Sequence, residues 1–268
     1  MKYPTPEPVA AIVGVGLHVP GYTSAADWKA RERSETDAPA GTLIERRSRR
    51  RSSPLTRALA DAYAEALESS GFEPTGVASV FGSALGEAST MIGLLDTMWR
   101  DGGPLSPMAF AMSVHNAAAG VVSISTEARG YTTSLGADFD TPAMSIAEAL
   151  GLLATGHDTA IVVCGDEGVP EELVPDGKGW AMATGAIALV RPDDAPANAP
   201  RISAPRIVPP GARRDGVLLT GPQLPYALMT NPCCGIVDLV DAVLREHTGP
   251  VALDRGRGQG WTIELTRA

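Results

Sequence analysis

Residues 131–164 have the sequence YTTSLGADFDTPAMSIAEALGLLATGHDTAIVVC, which contains the clearest signal of the fold class. This stretch predicts a strand at 131–136, a helix at about 141–155 with Pro142 in its first turn, and an apolar strand at 158–164. A strand, a helix and a second strand in this order are typical of an α/β fold with much parallel sheet.

The flanking segments continue this alternation of strands and helices. A buried strand at 8–16 precedes a helix that has Ser53 as its N-cap and Pro54 in its first turn, and that stops at Gly71. The other predicted elements are a strand at 77–81, helices at 87–100 and 107–127, a strand at 185–190, a helix with Ile236 and Leu239 on its apolar face, and strands at 251–253 and 261–265.

The composition excludes several classes of protein. The chain has 268 residues, of which 44% are hydrophobic, so it can bury a substantial core. A net charge of −9 argues against a nucleic-acid partner, and no apolar stretch approaches the roughly 20 residues that a membrane span needs. Three cysteines do not make a disulfide framework and suit a reducing compartment. We therefore expect a cytoplasmic globular protein.

The candidate ligand motifs are weak. Gly14-Val15-Gly16 follows a strand but lacks the third glycine of a dinucleotide fingerprint, so we expect no nucleotide cofactor. The four histidines are His18, His115, His157 and His247. No cysteine or second histidine lies at metal-ligand spacing from any of them, so we expect no metal site. The basic run at 46–51 is either a solvated loop or an attractor for an acidic partner such as a carrier protein.

Three segments resemble the β-ketoacyl synthase family of the thiolase fold. They are AAIVGVGLHVPG at 10–21, SPMAFAMSVHNAAAG at 106–120 and GHDTAIVVCG at 156–165. The resemblance implies an α/β protein with the thiolase-like layered αβαβα fold and an abbreviated C-terminal half. It also implies a single ketosynthase-like domain over 1–268, with an N-terminal half at 1–190 and a shortened C-terminal half at 191–268.

The resemblance implies that the catalytic cysteine is missing. Ungapped register places Phe139 at the position of the family's nucleophile, where a helix N-terminus lowers the pKa of a thiol. Asp140 or Thr141 is the predicted N-cap of that helix. The family's catalytic histidines are also missing, because no His-Gly-Thr occurs and residues 231–235 read NPCCG where the family has Gly-His. We therefore expect no catalytic residue in this chain.

A short chain that lacks the catalytic cysteine is similar to the chain length factor subunits of type II systems that build aryl polyenes. The similarity implies a heterodimer with a catalytic β-ketoacyl synthase, in polyene or fatty-acid-like biosynthesis, that works on chains held by an acyl carrier protein. The strand at 131–136 would pair across the dimer. The implied acyl-tunnel and interface residues are Met108, Phe110, Met112, Ser113, His115, Asn116 and Phe139. For the two methionines and Phe110, packing inside the subunit core is an open alternative.

Two other functions stay open from the sequence alone. One is a stand-alone acyltransferase or thioesterase with Cys233 or Cys234 as a relocated nucleophile, against the default that both are buried structural thiols. The other is a homodimeric module that binds an acyl chain or a carrier protein without a ketosynthase partner.

Overall fold

A computed structural model describes residues 6–102, 104–171, 173–208 and 230–267. Its centre is a mixed sheet of nine strands in the order β3-β2-β4-β5-β1-β6-β9-β7, with β8 paired to β9. The strands are β1 (Ala10–His18), β2 (Ala78–Gly82), β3 (Thr132–Leu135), β4 (Thr159–Asp166), β5 (Ala183–Val190), β6 (Arg201–Ile202), β7 (Arg206–Ile207), β8 (Gly249–Ala252) and β9 (Trp261–Thr266).

Eight α-helices lie in the described part of the chain. A π-helical turn, Thr97–Asp101, extends the fourth of them. The helices are α1 (Ala25–Ala30), α2 (Arg46–Arg49), α3 (Pro54–Ser70), α4 (Ala88–Asp96), α5 (Pro107–Ala111), α6 (Ala117–Ser125), α7 (Thr141–Ala154) and α8 (Cys234–Leu244). None of these helices combines the length and apolar character that a bilayer crossing requires.

The sheet is less parallel than the sequence predicted. Among the described strands, only β2 with β3 and β2 with β4 are parallel, and the other six pairings are antiparallel. The cause is the connection between β4 and β5, whose described residues form a loop with one short 3₁₀ turn, Gly177–Gly179, instead of a crossover helix. Without a crossover helix the chain returns antiparallel.

Both faces of the sheet are covered by helices. Along β4, Ile161 and Val163 face the cluster formed with α3 and α6, whereas Ala160 and Val162 face the cluster formed with α7 and α8. Each set of alternate residues is buried, as expected of a strand in a central sheet.

Helix α8 lies in an inner layer. All residues from 234 to 242 are buried, which requires cover on every side of the helix. A Cβ at Gly185 of β5 would contact Ile236 on one side, and a Cβ at Gly235 would overlap the backbone of Leu253, which follows β8, on the other. Strands β8 and β9, which belong to the same nine-stranded sheet through β6, therefore lie on the side of α8 away from β5.

Local signals placed α3 correctly. The Ser53 hydroxyl accepts a hydrogen bond from Thr56 N at 2.8 Å, and Gly71 ends the helix with a left-handed φ of 70°. The glycines of the Gly14-Val15-Gly16 motif let this helix approach β1, because a Cβ on Gly16 would overlap the carbonyl oxygen of Ala62. The motif therefore serves helix packing.

The predicted helix at 107–127 is broken into α5 and α6. Between them the Ser113 hydroxyl donates to Phe110 O at 2.9 Å, and His115 Nε2 makes a 2.8 Å hydrogen bond with Ser83 O. These side-chain bonds to the backbone compete with a continuous helical ladder.

Candidate functional site

The turn between β3 and α7, residues 136–140, is the position at which the sequence analysis expects the missing nucleophile. Helix α7 forms because Pro142 lies in its first turn and its apolar side packs on the sheet through Ile146 and Leu153. Strand β3 ends at Leu135 and the helix begins at Thr141, so the turn leads directly into the N-terminus of α7.

The β3–α7 turn is held by hydrogen bonds between its backbone and the Thr141 side chain. Ala137 N donates to Thr141 Oγ1 at 2.9 Å, and that hydroxyl donates to Asp138 O at 2.7 Å. Asp138 has a left-handed φ of 52°, the only non-glycine residue of the turn with positive φ. The residue with left-handed backbone geometry is therefore Asp138, one position before Phe139. Neither carries a thiol.

Asp140 occupies the predicted N-cap position but does not cap the helix. Its side chain makes no capping hydrogen bond, and its Oδ1 accepts from Gln259 N at 2.9 Å instead. Thr141 is the first helical residue, so neither predicted cap operates as expected. The carboxylate that would cap α7 ties the turn to the loop between β8 and β9.

Arg257, from the β8–β9 loop (residues 253–260), covers Phe139. Its guanidinium carbon lies 4.6 Å from the centre of the half-buried Phe139 ring, within the range of a cation–π contact. Arg257 Nη2 also donates to Asp176 Oδ2 at 2.6 Å. The turn, the β4–β5 loop and the β8–β9 loop therefore meet at this arginine.

Asp166, at the end of β4, is the centre of a buried polar cluster next to the turn. Its carboxylate accepts from Ser83 Oγ at 2.6 Å, from Ala84 N at 2.9 Å and from Cys233 Sγ at 3.0 Å. Burial raises the pKa of Asp166, and these hydrogen bonds oppose the rise. The Asn231 amide donates to Asp166 O and Ala181 O, both at 2.9 Å. The NPCCG segment thus has a structural role here.

The cysteines are buried structural thiols, as the default interpretation held. Cys164, Cys233 and Cys234 are free and buried. Burial raises the pKa of Cys164 to about 12, and burial followed by the negative charge of Asp166 raises the pKa of Cys233 well above its usual value. Burial and the charge of Asp238 raise the pKa of Cys234 as well. A buried, protonated thiol is a poor nucleophile.

Apart from Phe139, the predicted interface residues lie in α5 and in the segment between α5 and α6. Met108 and Phe110 are exposed and Met112 is half-buried, so the alternative that these side chains pack the subunit core is wrong for the first two. Asn116 is exposed at the start of α6 and makes no capping bond. His115 reaches back to Ser83 and supports the turn after β2.

Exposed apolar side chains are concentrated in the segment between residues 91 and 131. Nine of the twelve large apolar side chains that are exposed in the described residues lie between residues 91 and 131. Trp99 and Ile124 are each 77% exposed. We call the following set the apolar face: Met91, Leu95, Met98, Trp99, Met108, Phe110 and Ile124.

Strand β3 is an edge of the sheet. Among the described strands it pairs only with β2, so its outer backbone groups face away from the sheet. Between β3 and α6 runs an open groove of about 590 Å³, lined partly by Ser123, Thr132, Thr133 and Ser134. In the described residues, no three His, Cys, Asp or Glu side chains are arranged to hold a metal ion.

Residues 25–200 match the sequence profile of the β-ketoacyl synthase N-terminal domain. The chain belongs to the β-ketoacyl synthase family. The match covers the segment that contains β2 to β5 and the β3–α7 turn. No curated protein sequence matches the chain.

Solved ketosynthase structures share the fold. A ketosynthase in complex with its chain length factor from Xenorhabdus doucetiae is similar over 97% of this chain and 100% of that chain, with 20% identity and a TM-score of 0.67. A type II polyketide synthase acyl-carrier protein in complex with its ketosynthase is similar over 96% and 98%, with 13% identity and a TM-score of 0.72. The ishigamide ketosynthase/chain length factor is similar over 74% and 67%, with 15% identity and a TM-score of 0.56. The thiolase-like fold with an abbreviated C-terminal half is confirmed.

Sequence reasoning missed two features of this ketosynthase scaffold. Asp166 lies two residues beyond the strand predicted at 158–164, and no local signal marks it as the acceptor of the Cys233 thiol. The contact of Arg257 with Phe139 joins residues 118 positions apart. The one available signal was the glycine- and arginine-rich segment DRGRGQG at 254–260, which is unusual between two strands.

Proposed function

We propose that this chain is a non-catalytic ketosynthase-like subunit of the chain length factor type, and that it pairs with a catalytic β-ketoacyl synthase in a type II system. One observation carries the proposal: the β3–α7 turn of a ketosynthase scaffold has Phe139 at the expected nucleophile position. In this proposal residues 1–268 form a single domain with halves at 1–190 and 191–268.

The chemistry of the turn supports a non-catalytic role. Condensation by this family needs a thiolate at the start of a helix, which attacks an acyl thioester. Residues 136–140 read GADFD and offer no thiol or hydroxyl in either register, whether Phe139 or its strained neighbour Asp138 takes the nucleophile position. The helix N-terminus remains, but nothing at it can be acylated as a cysteine is.

The surface supports a partner subunit. An edge strand invites strand pairing with another chain, and a concentration of exposed apolar side chains marks a protein interface. Tryptophan at such a surface is a frequent binding hot spot, and Trp99 is exposed on the π-helical turn. Strand β3 and the apolar face are therefore the proposed interface with the ketosynthase.

The two alternatives from the sequence fare differently. A relocated nucleophile at Cys233 or Cys234 is not favoured, because both thiols are buried and their pKa values are raised. A homodimeric acyl- or carrier-binding module would use the same edge strand and the same apolar face. It differs from our proposal only in the identity of the partner, which the experiment below distinguishes.

The proposal includes an acyl carrier protein and a product class. The arginines at 46, 47, 49, 50 and 51 are at least partly exposed on and after α2, in a chain of net charge −9. Such a local basic patch would attract an acidic carrier protein. The similarity noted from the sequence makes an aryl polyene the product class of the proposed complex.

The test is native mass spectrometry of the tagged chain after co-expression with a cysteine-bearing ketosynthase from its own cells. We expect a one-to-one complex, and no condensing activity when the chain is alone. A stable homodimer that ignores the ketosynthase would replace our proposal with the homodimeric alternative.

Matched variants locate the interface. Trp99→Asp and Met108→Asp should abolish the complex, because each places a charge within an apolar contact. Leu173→Asp is the control, since Leu173 lies outside the apolar face and is 48% exposed, against 49% for Met108. Equal loss in all three variants would contradict the proposed interface.

A further inference from the structure

An open cleft of about 380 Å³ lies at the C-terminal end of α8. Helix α8 begins beside Asp166, which accepts a hydrogen bond from Cys233 Sγ, and it ends at Leu244, which lines the cleft. A helix of 11 residues is about 16 Å long. The cleft is therefore separate from the buried cluster at Asp166, and none of its described lining residues belongs to the apolar face.

The floor of the cleft is apolar. Its half-buried side chains come from β1 and from the end of α8, and they are Val13, Val15, Val243 and Leu244. The pairing of β1 with β5 slips between Ile12 and Gly14, so Val13 has no partner in β5. Such β-bulges redirect a side chain and are frequent next to active sites. The floor therefore offers apolar surface to the body of a ligand.

Two positively charged side chains border this floor. Lys29 is exposed in the last turn of α1, and Arg267 follows β9. Among the described residues, neither side chain lies within ion-pair distance of a carboxylate. Arg267 Nη2 donates to Val243 O at 2.9 Å, which fixes the guanidinium at the cleft, and the buried Nε has no hydrogen-bond partner among those residues. In a chain of net charge −9, two such cations at one cleft favour an anionic ligand.

The lining offers little to a cationic ligand. Within the described residues Glu246 is its one acidic side chain, against two basic ones. A helix C-terminus attracts cations through its last carbonyl groups. Those of α8 are already used, because Val243 O accepts from Arg267 and Ala242 O accepts from His247 N at 3.0 Å. The charge balance of the cleft therefore favours a carboxylate over an ammonium group.

We propose that this cleft binds a carboxylate with an apolar body. The carboxylate would lie between Lys29 and Arg267, and the apolar body would lie along the side chains of β1 and α8 that form the floor. The site is independent of the proposed function, because no residue of the β3–α7 turn or of the apolar face takes part.

The first experiment compares three probes of one length, octanoate, octanol and octylammonium, with the full chain by ligand-observed NMR. Octanoate has about ten non-hydrogen atoms, and an open cleft should bind it with a Kd of about 1 mM. We expect octanol to bind about fivefold more weakly, because it has no charge for Lys29 and Arg267 to attract, and octylammonium more weakly still. Higher salt should reduce this preference. Octylammonium that binds as tightly as octanoate would overturn the proposal.

Matched variants locate the bound probe. Lys29→Glu should weaken octanoate binding about fivefold, and it should fold normally because the exposed Lys29 side chain makes no ion pair among the described residues. Lys178→Glu is the control, since it makes the same change of charge at an exposed lysine outside the cleft. Equal affinity in the two variants would overturn the proposal.

A third variant separates the cleft from the apolar face. Trp99→Asp should leave octanoate binding within about twofold of the unmodified chain, because Trp99 is not part of the cleft. Loss of binding in Trp99→Asp without any loss in Lys29→Glu would place octanoate on the apolar face and refute the site. Neither result bears on the ketosynthase partner, which native mass spectrometry tests separately.

Discussion

The buried ion pair between Asp238 and Arg255 anchors the β8–β9 loop to α8, and breaking it should cost much stability. The two side chains make contacts of 2.6 Å and are 0% and 6% exposed. Asp238→Ala leaves the guanidinium in the interior without that carboxylate. Removal of one partner of such a pair costs about 3–5 kcal/mol. For a chain of this size the melting temperature should fall by roughly 6–20 °C.

The assay is urea unfolding at neutral pH, followed by tryptophan fluorescence. Trp28 is a suitable reporter because it is buried and its indole donates at 2.6 Å to Asp241, which lies on α8 like Asp238. Asp158→Ala is the control, because it breaks an ion pair with Arg191 that lies on the surface and should cost less than about 1 kcal/mol.

A double replacement tests whether the stability lost in Asp238→Ala comes from the charge that is left without its partner. Asp238→Leu with Arg255→Met removes both charges and should recover most of the stability lost in Asp238→Ala, because a buried ion pair pays a desolvation cost that apolar side chains avoid. The reasoning is refuted if Asp238→Ala costs no more than Asp158→Ala. It is equally refuted if the double replacement lowers the free energy of unfolding by as much as the two single replacements do together.

Three further predictions concern the thiols, the basic run and the close approach of α3 to β1. The three cysteines should be inert to Ellman's reagent at pH 8 in the folded chain and all react in guanidinium, because their pKa values are raised by burial; one fast native thiol would restore the relocated-nucleophile hypothesis. Arg46→Glu with Arg49→Glu should weaken binding of a labelled carrier protein about tenfold at low salt and less at high salt, as measured by fluorescence anisotropy, whereas unchanged affinity would exclude this docking site. Gly16→Ala should destabilise the chain by about 3 kcal/mol in urea unfolding, because its Cβ overlaps Ala62 O, and a neutral result would contradict the packing role of this glycine.

The features that the sequence predicted well have local causes. Helix α3 carries its own start and stop signals in Ser53, Pro54 and Gly71, and the structure places it at Pro54–Ser70. Strand β4 is predicted at 158–164 from a short apolar run, and in the structure it begins one residue later, at Thr159. The turn before α7 was located correctly, because a strand, a tight turn and a first-turn proline are all visible within a dozen residues.

The features that the sequence could not predict depend on distant partners. Strand direction depended on how the chain returns from β4 to β5, and an apolar run contains no information on that return. The break between α5 and α6 depends on His115 finding the carbonyl of Ser83, 32 residues away. The cover over Phe139 depends on Arg257, and an arginine in a glycine-rich loop resembles any other solvated charge until the fold brings the two together.

The central position of β1 has a consequence for how the chain is made. This strand pairs with β5 on one side and β6 on the other, and His18 lies opposite Thr184, 166 residues later. At a synthesis rate of roughly 5–20 residues per second, the first strand leaves the ribosome about 10–30 s before its partner exists. For that interval an apolar segment is unpaired, and folding must wait for the longest-range contacts in the sheet. A nascent chain that carries β1 without β5 therefore exposes an apolar strand, and slower translation exposes it for longer.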